Sequence, residues 1–310
     1  MRLRRPAWML LLLMPVAAAF ADGHDLTDRE ALEAIYDYDA AAPLDAEVVS
    51  VDDRGIYLIE RISFTGAAGE RVPATLFRPP GVERPPVVLF LHGLGGDRSQ
   101  AQVAATLLIP QGVAVLGIDA ALHGERADPQ IDFAAMGPEL AELDGPLVRT
   151  IVDNRRAIDY IESREDLDGE RIVLIGASMG GILGSIVSAV DPRVQAAALL
   201  VAGGDWSAII QHSHHPLAQR LQAAGIGDGR ALAHVDPVSF VAGIAPRPLL
   251  MINGTDDEII PKNSAEALFE AASEPREIRW YEGGHIDIPP DEIFFLATWV
   301  RERAYGENDR

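Results

Sequence analysis

The stretch that most constrains this chain runs from Arg171 to Gly181 and reads RIVLIGASMGG. An apolar, largely β-branched run, Ile172-Val173-Leu174-Ile175, ends abruptly in small residues, and a helix-forming segment follows to about Ala189. That order predicts a strand, a tight turn and a helix. A single serine, Ser178, sits in the turn between Gly176 and Gly180 at G-x-S-x-G spacing. The glycines answer a steric demand, because side chains two positions either side of the serine would collide where strand and helix close together. Such a turn is a nucleophile elbow, in which the serine takes a strained backbone and presents its hydroxyl to solvent. The helix starting near Met179 also aims its first N–H groups at any negative charge forming beside that oxygen.

The surrounding chain alternates strand and helix, which predicts a mostly parallel sheet covered on both faces. Strands are expected at Val87–Leu91, Val113–Ile118, the elbow strand, Ala196–Val201, Pro248–Ile252 and Arg276–Tyr281. Helices are expected over Ser99–Leu108, around Leu147–Ile161, after the elbow, and over Asn263–Ala272 and Pro290–Arg303. Before the first buried strand the hydrophobic period is two. Ile56–Phe64 and Arg71–Phe77, joined through Gly66-Ala67-Ala68-Gly69, predict an antiparallel hairpin. An N-terminal helix or arm is expected around Leu32, Ile35 and Tyr36, and Asp119–Gly145 reads as a polar excursion. Gly203–Val235 breaks the rhythm. It is rich in glycine and histidine, with a short helix near Leu217–Ala223, and after a strand of such a sheet it would project over the carboxyl edge as a lid.

Residues 1–21 read as a signal peptide: Arg2, Arg4 and Arg5, then an apolar run from Trp8 to Val16, then Ala19-Phe20-Ala21 before Asp22. The apolar run is shorter than the ~20 residues of a membrane span. The expectation is therefore a secreted or periplasmic protein without stable membrane association, with residues 22–310 forming one domain. The chain has no cysteine, which excludes disulfides, a thiol nucleophile and thiolate metal sites. Its net charge is −21, and −24 without the three leader arginines, so nucleic acid and anionic membranes are poor partners.

A serine hydroxyl needs a base that is itself held in orientation. His285, in Tyr281-Glu282-Gly283-Gly284-His285, follows the last predicted strand and so lies at the sheet edge where the elbow also lies. An acid is expected from another strand end, in Gly254-Thr255-Asp256-Asp257-Glu258-Ile259-Ile260-Pro261. The pattern G-x-x-D-x-x-[VI]-P selects Asp257, with Asp256 as the alternative, and its task is to fix the imidazole tautomer. Phe90-Leu91-His92-Gly93-Leu94-Gly95-Gly96 follows a strand, and its glycines let N–H groups turn inward. The N–H groups of Leu94 and Met179 would then form an oxyanion hole. Trp206, by its position at the start of the lid, is a candidate for the substrate pocket. His212-Ser213-His214-His215 lacks companions at ligand spacing, so the expectation is a pocket rim with no metal and no cofactor.

In order, His92-Gly93, Gly176-x-Ser178-x-Gly180, Asp257 and Gly284-His285 resemble the α/β-hydrolase superfamily over about Val48 to the final helix. The hairpin and the form of the Asp257 segment are most similar to the dienelactone-hydrolase and acyl-peptidase-like esterases. That resemblance implies an eight-stranded, mostly parallel sheet and a serine carboxylesterase acting on small ester substrates. Dienelactone hydrolases carry a cysteine where Ser178 stands, and the oxyanion turn reads His-Gly-Leu-Gly-Gly rather than His-Gly-Gly-Gly. The alternatives are a peptidase acting on short peptides and a non-catalytic binding protein on the same scaffold.

Overall fold

Successive residues of a strand face opposite sides of a sheet, and the elbow strand has no polar side to offer. Ile172 and Leu174 on one side and Val173 and Ile175 on the other are all buried. Such a strand is stable only with apolar layers above and below it, and the computed structural model provides both. It describes residues 29–306 apart from 132–135, 137, 138, 140, 141, 143 and 144. The leader expected over residues 1–21 lies outside the described residues, as does part of the polar excursion.

The strands are β1 (Glu47–Asp53), β2 (Leu58–Thr65), β3 (Arg71–Arg78), β4 (Pro86–Leu91), β5 (Ala114–Ile118), β6 (Asp168–Ala177), β7 (Val194–Leu200), β8 (Leu249–Gly254) and β9 (Arg276–Tyr281). They form one sheet in the order β1-β2-β3-β5-β4-β6-β7-β8-β9. The first three and the β3–β5 junction pair antiparallel, and β5, β4, β6, β7, β8 and β9 run parallel. All six parallel strands therefore end at one edge, where an open α/β sheet binds its ligands.

The described helices are α1 (Arg29–Glu33), α2 (Ala101–Leu108), α3 (Pro146–Ser163), α4 (Met179–Val190), α5 (Trp206–His212), α6 (Pro216–Ala223), α7 (Lys262–Ala271) and α8 (Pro290–Tyr305). Ile151, Ile158 and Ile161 of α3 and Ile182 and Ile186 of α4 pack with Leu89, Ile172 and Leu174 on one face. Ala101 and Leu108 of α2 and Leu296 and Val300 of α8 pack with Val88, Val173 and Ile175 on the other.

Two elements depart from expectation. The sheet has nine strands where eight were expected, and the additional one is β1. None of its residues is buried, so it carries no apolar alternation, and it is held by its ladder to β2. Helix α5, inside the expected lid, was also unforeseen. Asp205 caps it by accepting from the N–H groups of Ser207 and Ala208 at 3.0 and 3.3 Å.

The N-terminal arm is clamped onto α3. Arg156, 1% exposed, donates to the carbonyls of Ala42 and Pro43 at 2.9 and 3.1 Å and pairs with Asp159 at 2.9 Å. Arg155 donates to the Tyr36 carbonyl at 2.6 Å, and the Tyr36 hydroxyl reaches the His234 carbonyl at the exit of the lid. Removing one member of a buried charged network strands the remaining polar groups. Arg156→Met is expected to cost about 3 kcal/mol of unfolding free energy, because the Ala42, Pro43 and Thr65 carbonyls and the Asp159 carboxylate lose a donor at once. Urea unfolding reads this directly, and an unchanged midpoint would show that the clamp carries no stability.

Candidate active site

Ser178 joins β6 to α4 with φ 54° and ψ −119°, a conformation that L residues rarely adopt. The neighbouring glycines leave the chain no alternative. A Cβ on Gly176 would meet the Gly180 carbonyl oxygen at 2.2 Å, and one on Gly180 would meet the Leu91 carbonyl oxygen at 2.1 Å. The turn is closed by backbone as well, since the Ser178 N–H donates to the Leu200 carbonyl at 2.9 Å.

The three chemistry-bearing side chains predicted from different strand ends come together. His285 Nε2 lies 2.8 Å from Ser178 Oγ, and His285 Nδ1 lies 2.7 Å from Asp257 Oδ2. The other oxygen of Asp257 is already committed, accepting from the N–H groups of Ile259 and Ile260 at 2.8 Å each. The carboxylate therefore offers the imidazole one oxygen in a set direction. Asp256 is not in this chain of contacts; Thr255 Oγ1 donates to its carboxylate at 3.4 Å.

The loops that carry His285 and Asp257 are laced together. Thr255 N–H donates to Tyr281 O at 2.9 Å and Asp256 N–H to Gly283 O at 3.1 Å. The Tyr281 hydroxyl donates to Gly284 O at 2.7 Å. Burial first, then the charges of Asp257 and Asp287, push the Tyr281 hydroxyl up to about 12, so it remains a donor at neutral pH.

Leu94 sits second in a turn closed by Gly96 N–H to Gly93 O at 3.0 Å, with Gly95 third at φ +75°. A positive φ at that position is what a type II turn demands. Met179 opens α4, so its N–H has no intrahelical partner. His92 secures the base of the turn: its Nε2 accepts from the Ala120 N–H at 3.0 Å, and its Nδ1 lies 2.9 Å from Gly93 O. The Ala120 donor requires Nε2 to be unprotonated, and burial lowers the pKa of His92 in the same sense.

Leu94, Met179, Ser178 and His285 all open onto a cavity of about 200 Å³. Its far wall is the lid: Trp206, Ile209, Ser213, His215, Leu217 and Leu221. Trp206 is 8% exposed and donates from Nε1 to Val235 O at 2.9 Å, which anchors its ring in that wall. The histidine cluster is divided. His214 lies on the surface with Nδ1 3.2 Å from Glu258, whereas His215 faces the cavity and caps α6. Among the described residues no group of three or more histidine or acidic side chains could hold a metal ion. His215 was singled out in sequence only as one of a cluster. Its place before Pro216 is a helix-start signal that would have marked it as a cap.

The family model of acetyl xylan esterase (AXE1) matches residues 29–202, and that of the prolyl oligopeptidase family (Peptidase_S9) matches residues 148–282. His285 lies beyond both matches. The chain is 27% identical over 291 residues to the putative hydrolase YtaP of Bacillus subtilis (strain 168), covering 83% of this chain and 93% of that one. It is 25% identical over 231 residues to the esterase YjfP of Escherichia coli (strain K12), covering 70% and 88%. In fold it is similar to the acetyl xylan esterase from Paenibacillus sp. R4, at TM-score 0.72, 20% identity and coverage of 88% and 92%. It is equally similar to acetyl xylan esterase 1 from Thermoanaerobacterium sp. JW/SL YS485, at TM-score 0.73, 18% identity and coverage of 91% and 94%. These structures share the α/β-hydrolase fold with the chain.

Two glycines of α4 differ in what a side chain would meet. A Cβ on Gly180 meets backbone, whereas one on Gly184 meets the Leu174 Cδ2 methyl at 2.7 Å, which can move. Alanine also gains roughly 1 kcal/mol of helix propensity over glycine. Gly180→Ala is expected to lower the thermal midpoint by many degrees or prevent folding, and Gly184→Ala to change it little. Equal melting curves for the two variants would rule out this difference.

Proposed function

The chain belongs to the acetyl xylan esterase (AXE1) family, and on that premise we propose that it is a serine carboxylesterase working through an acyl-enzyme. The observation that carries this reading is the relay Ser178–His285–Asp257, with contacts of 2.8 and 2.7 Å, at the mouth of an apolar cavity. Ser178 Oγ attacks the ester carbonyl while its proton passes to His285 Nε2. Asp257 holds the ring in the tautomer that leaves Nε2 free to accept, and stabilises the imidazolium that results. The N–H groups of Leu94 and Met179 receive the oxyanion, each worth roughly 3–4 kcal/mol where such donors have been removed in other enzymes. Collapse expels the alcohol, which takes the proton from His285. Water then gives a proton to the same nitrogen, attacks the acyl-enzyme and releases the acid and free Ser178.

The cavity of about 200 Å³ is below the ~300–1,000 Å³ of drug-sized sites, which supports short to medium acyl groups. The basic and apolar N-terminal stretch supports export to the periplasm or medium as the setting. The match of the prolyl oligopeptidase family model over residues 148–282 favours, as a second reading, cleavage of short peptides at the same serine.

A fluorophosphonate is expected to label the folded protein at Ser178 and to fail on Ser178→Ala. Asp257→Asn is expected to lower kcat by roughly 10⁴-fold, and Asp256→Asn to leave it nearly unchanged. Turnover of p-nitrophenyl acetate and butyrate without turnover of aminoacyl nitroanilides selects the esterase. The reverse preference selects the peptidase, and absence of labelling removes both.

A further inference from the structure

Most of the cavity wall is hydrocarbon, and nearly every polar group in it is already engaged. Trp206 Nε1 donates to Val235 O at 2.9 Å, and Ser213 Oγ donates to Ile259 O at 2.7 Å while accepting from the His215 N–H at 3.0 Å. Ser178 and His285 hold each other. His215 differs. Its Nδ1 accepts from the Leu217 N–H at 3.1 Å, and a backbone N–H can only donate, so that nitrogen carries no proton. The neutral ring must then bear its hydrogen on Nε2. Among the described residues that Nε2–H has no protein partner, and the ring lines the cavity together with Ser178 and His285. Burial, and after it the neighbouring His285, hold the pKa of His215 below the ordinary histidine value. The group is therefore a fixed, uncharged donor at neutral pH.

From this geometry we infer that His215 is a specificity-determining residue, whose Nε2–H selects esters carrying a hydrogen-bond acceptor oxygen in the part that enters the cavity. When a pure hydrocarbon chain fills the cavity, it displaces water from Nε2–H and leaves the donor unsatisfied. An ether or hydroxyl oxygen at the same place restores the bond. The tether between the ring and the α6 backbone gives the donor one orientation, so the selection acts at one position along the chain and not on polarity in general.

The inference rests on the serine-esterase reading, and paired isosteric substrates separate the two. On the acyl side the pair is p-nitrophenyl methoxyacetate and p-nitrophenyl butyrate. On the alcohol side it is methoxyethyl acetate and butyl acetate. Within each pair an ether oxygen replaces a methylene, and intrinsic reactivity cancels when the ratio of kcat/KM is compared between wild type and variant. His215→Leu removes both the donor and the cap on Leu217. His215→Ser keeps a capping oxygen but does not reach the cavity. In one of the two pairs, both variants are expected to lower the ether-to-hydrocarbon ratio by roughly 5- to 20-fold. The pair that responds identifies which part of the ester occupies the cavity. A ratio unchanged in both pairs, or one that falls in His215→Leu but not in His215→Ser, overturns the inference and leaves His215 as a helix cap. Failure of the folded wild type to hydrolyse any of the four esters overturns the esterase reading itself.

Discussion

Among the described residues, no glycine's Cβ position lies closer to a neighbouring backbone atom than that of Gly180. The Leu91 carbonyl at the end of β4 comes within 2.1 Å of where a Cβ on Gly180 would stand. Helix α4 can therefore press its first turn against the neighbouring strand only because that position has no side chain. The consequences run outward from this contact. Ser178 is forced to positive φ, the N-terminus of α4 is brought beside the Gly93–Gly96 turn, and Met179 and Leu94 open onto one cavity. The ordinary apolar layers of the sheet supply the force that holds this strain, since every inward residue of β6 from Ile172 to Ile175 is buried on one face or the other.

The polar lacing around the site shows a division of labour. Asp257 gives one oxygen to two backbone amides and the other to His285, while Tyr281 and the Thr255 and Asp256 amides tie the two loops to each other. The lid joins the same lacing through Ser213 Oγ to Ile259 O and through the His214 N–H to Glu258 O, at 2.7 and 2.8 Å. Three strand ends and the lid thus share one network. A displacement of the lid would be felt first at the loop that orients the imidazole.

What was legible in sequence was whatever leaves a periodic or stereochemical trace. The parallel strands are unbroken apolar runs, the elbow needs its glycines, and Asp257 and His285 sit at predicted strand ends. The antiparallel hairpin announced itself by its period of two. Strand β1 was missed as a separate element because all its residues lie outside the core and it is specified by hydrogen bonds to β2 alone. Helix α5 was missed because its seven residues, WSAIIQH, are too few for a helical period, and its start depends on the Asp205 cap. The role of His215 was hidden for a different reason. Two histidines on a surface and one in a cavity look alike in a row of letters, and the lone pair taken by Leu217 N–H is visible only in three dimensions.

Asp236 carries a consequence for how such a protein can change. Its carboxylate accepts from the N–H groups of Asp205 and Trp206 at 3.0 Å each and from Val238 N–H at 3.1 Å, bringing the entry and exit of the lid to one point. The segment between is thus a closed loop pinned at its neck, with its own short helices, and its apolar residues join the main core of the sheet. The sheet does not need that loop to complete any strand. A change in its length therefore need not alter the register in which β7 pairs with β8. In that sense the cavity wall is a segment gathered at one neck, and the Asp236 carboxylate is where its two ends meet.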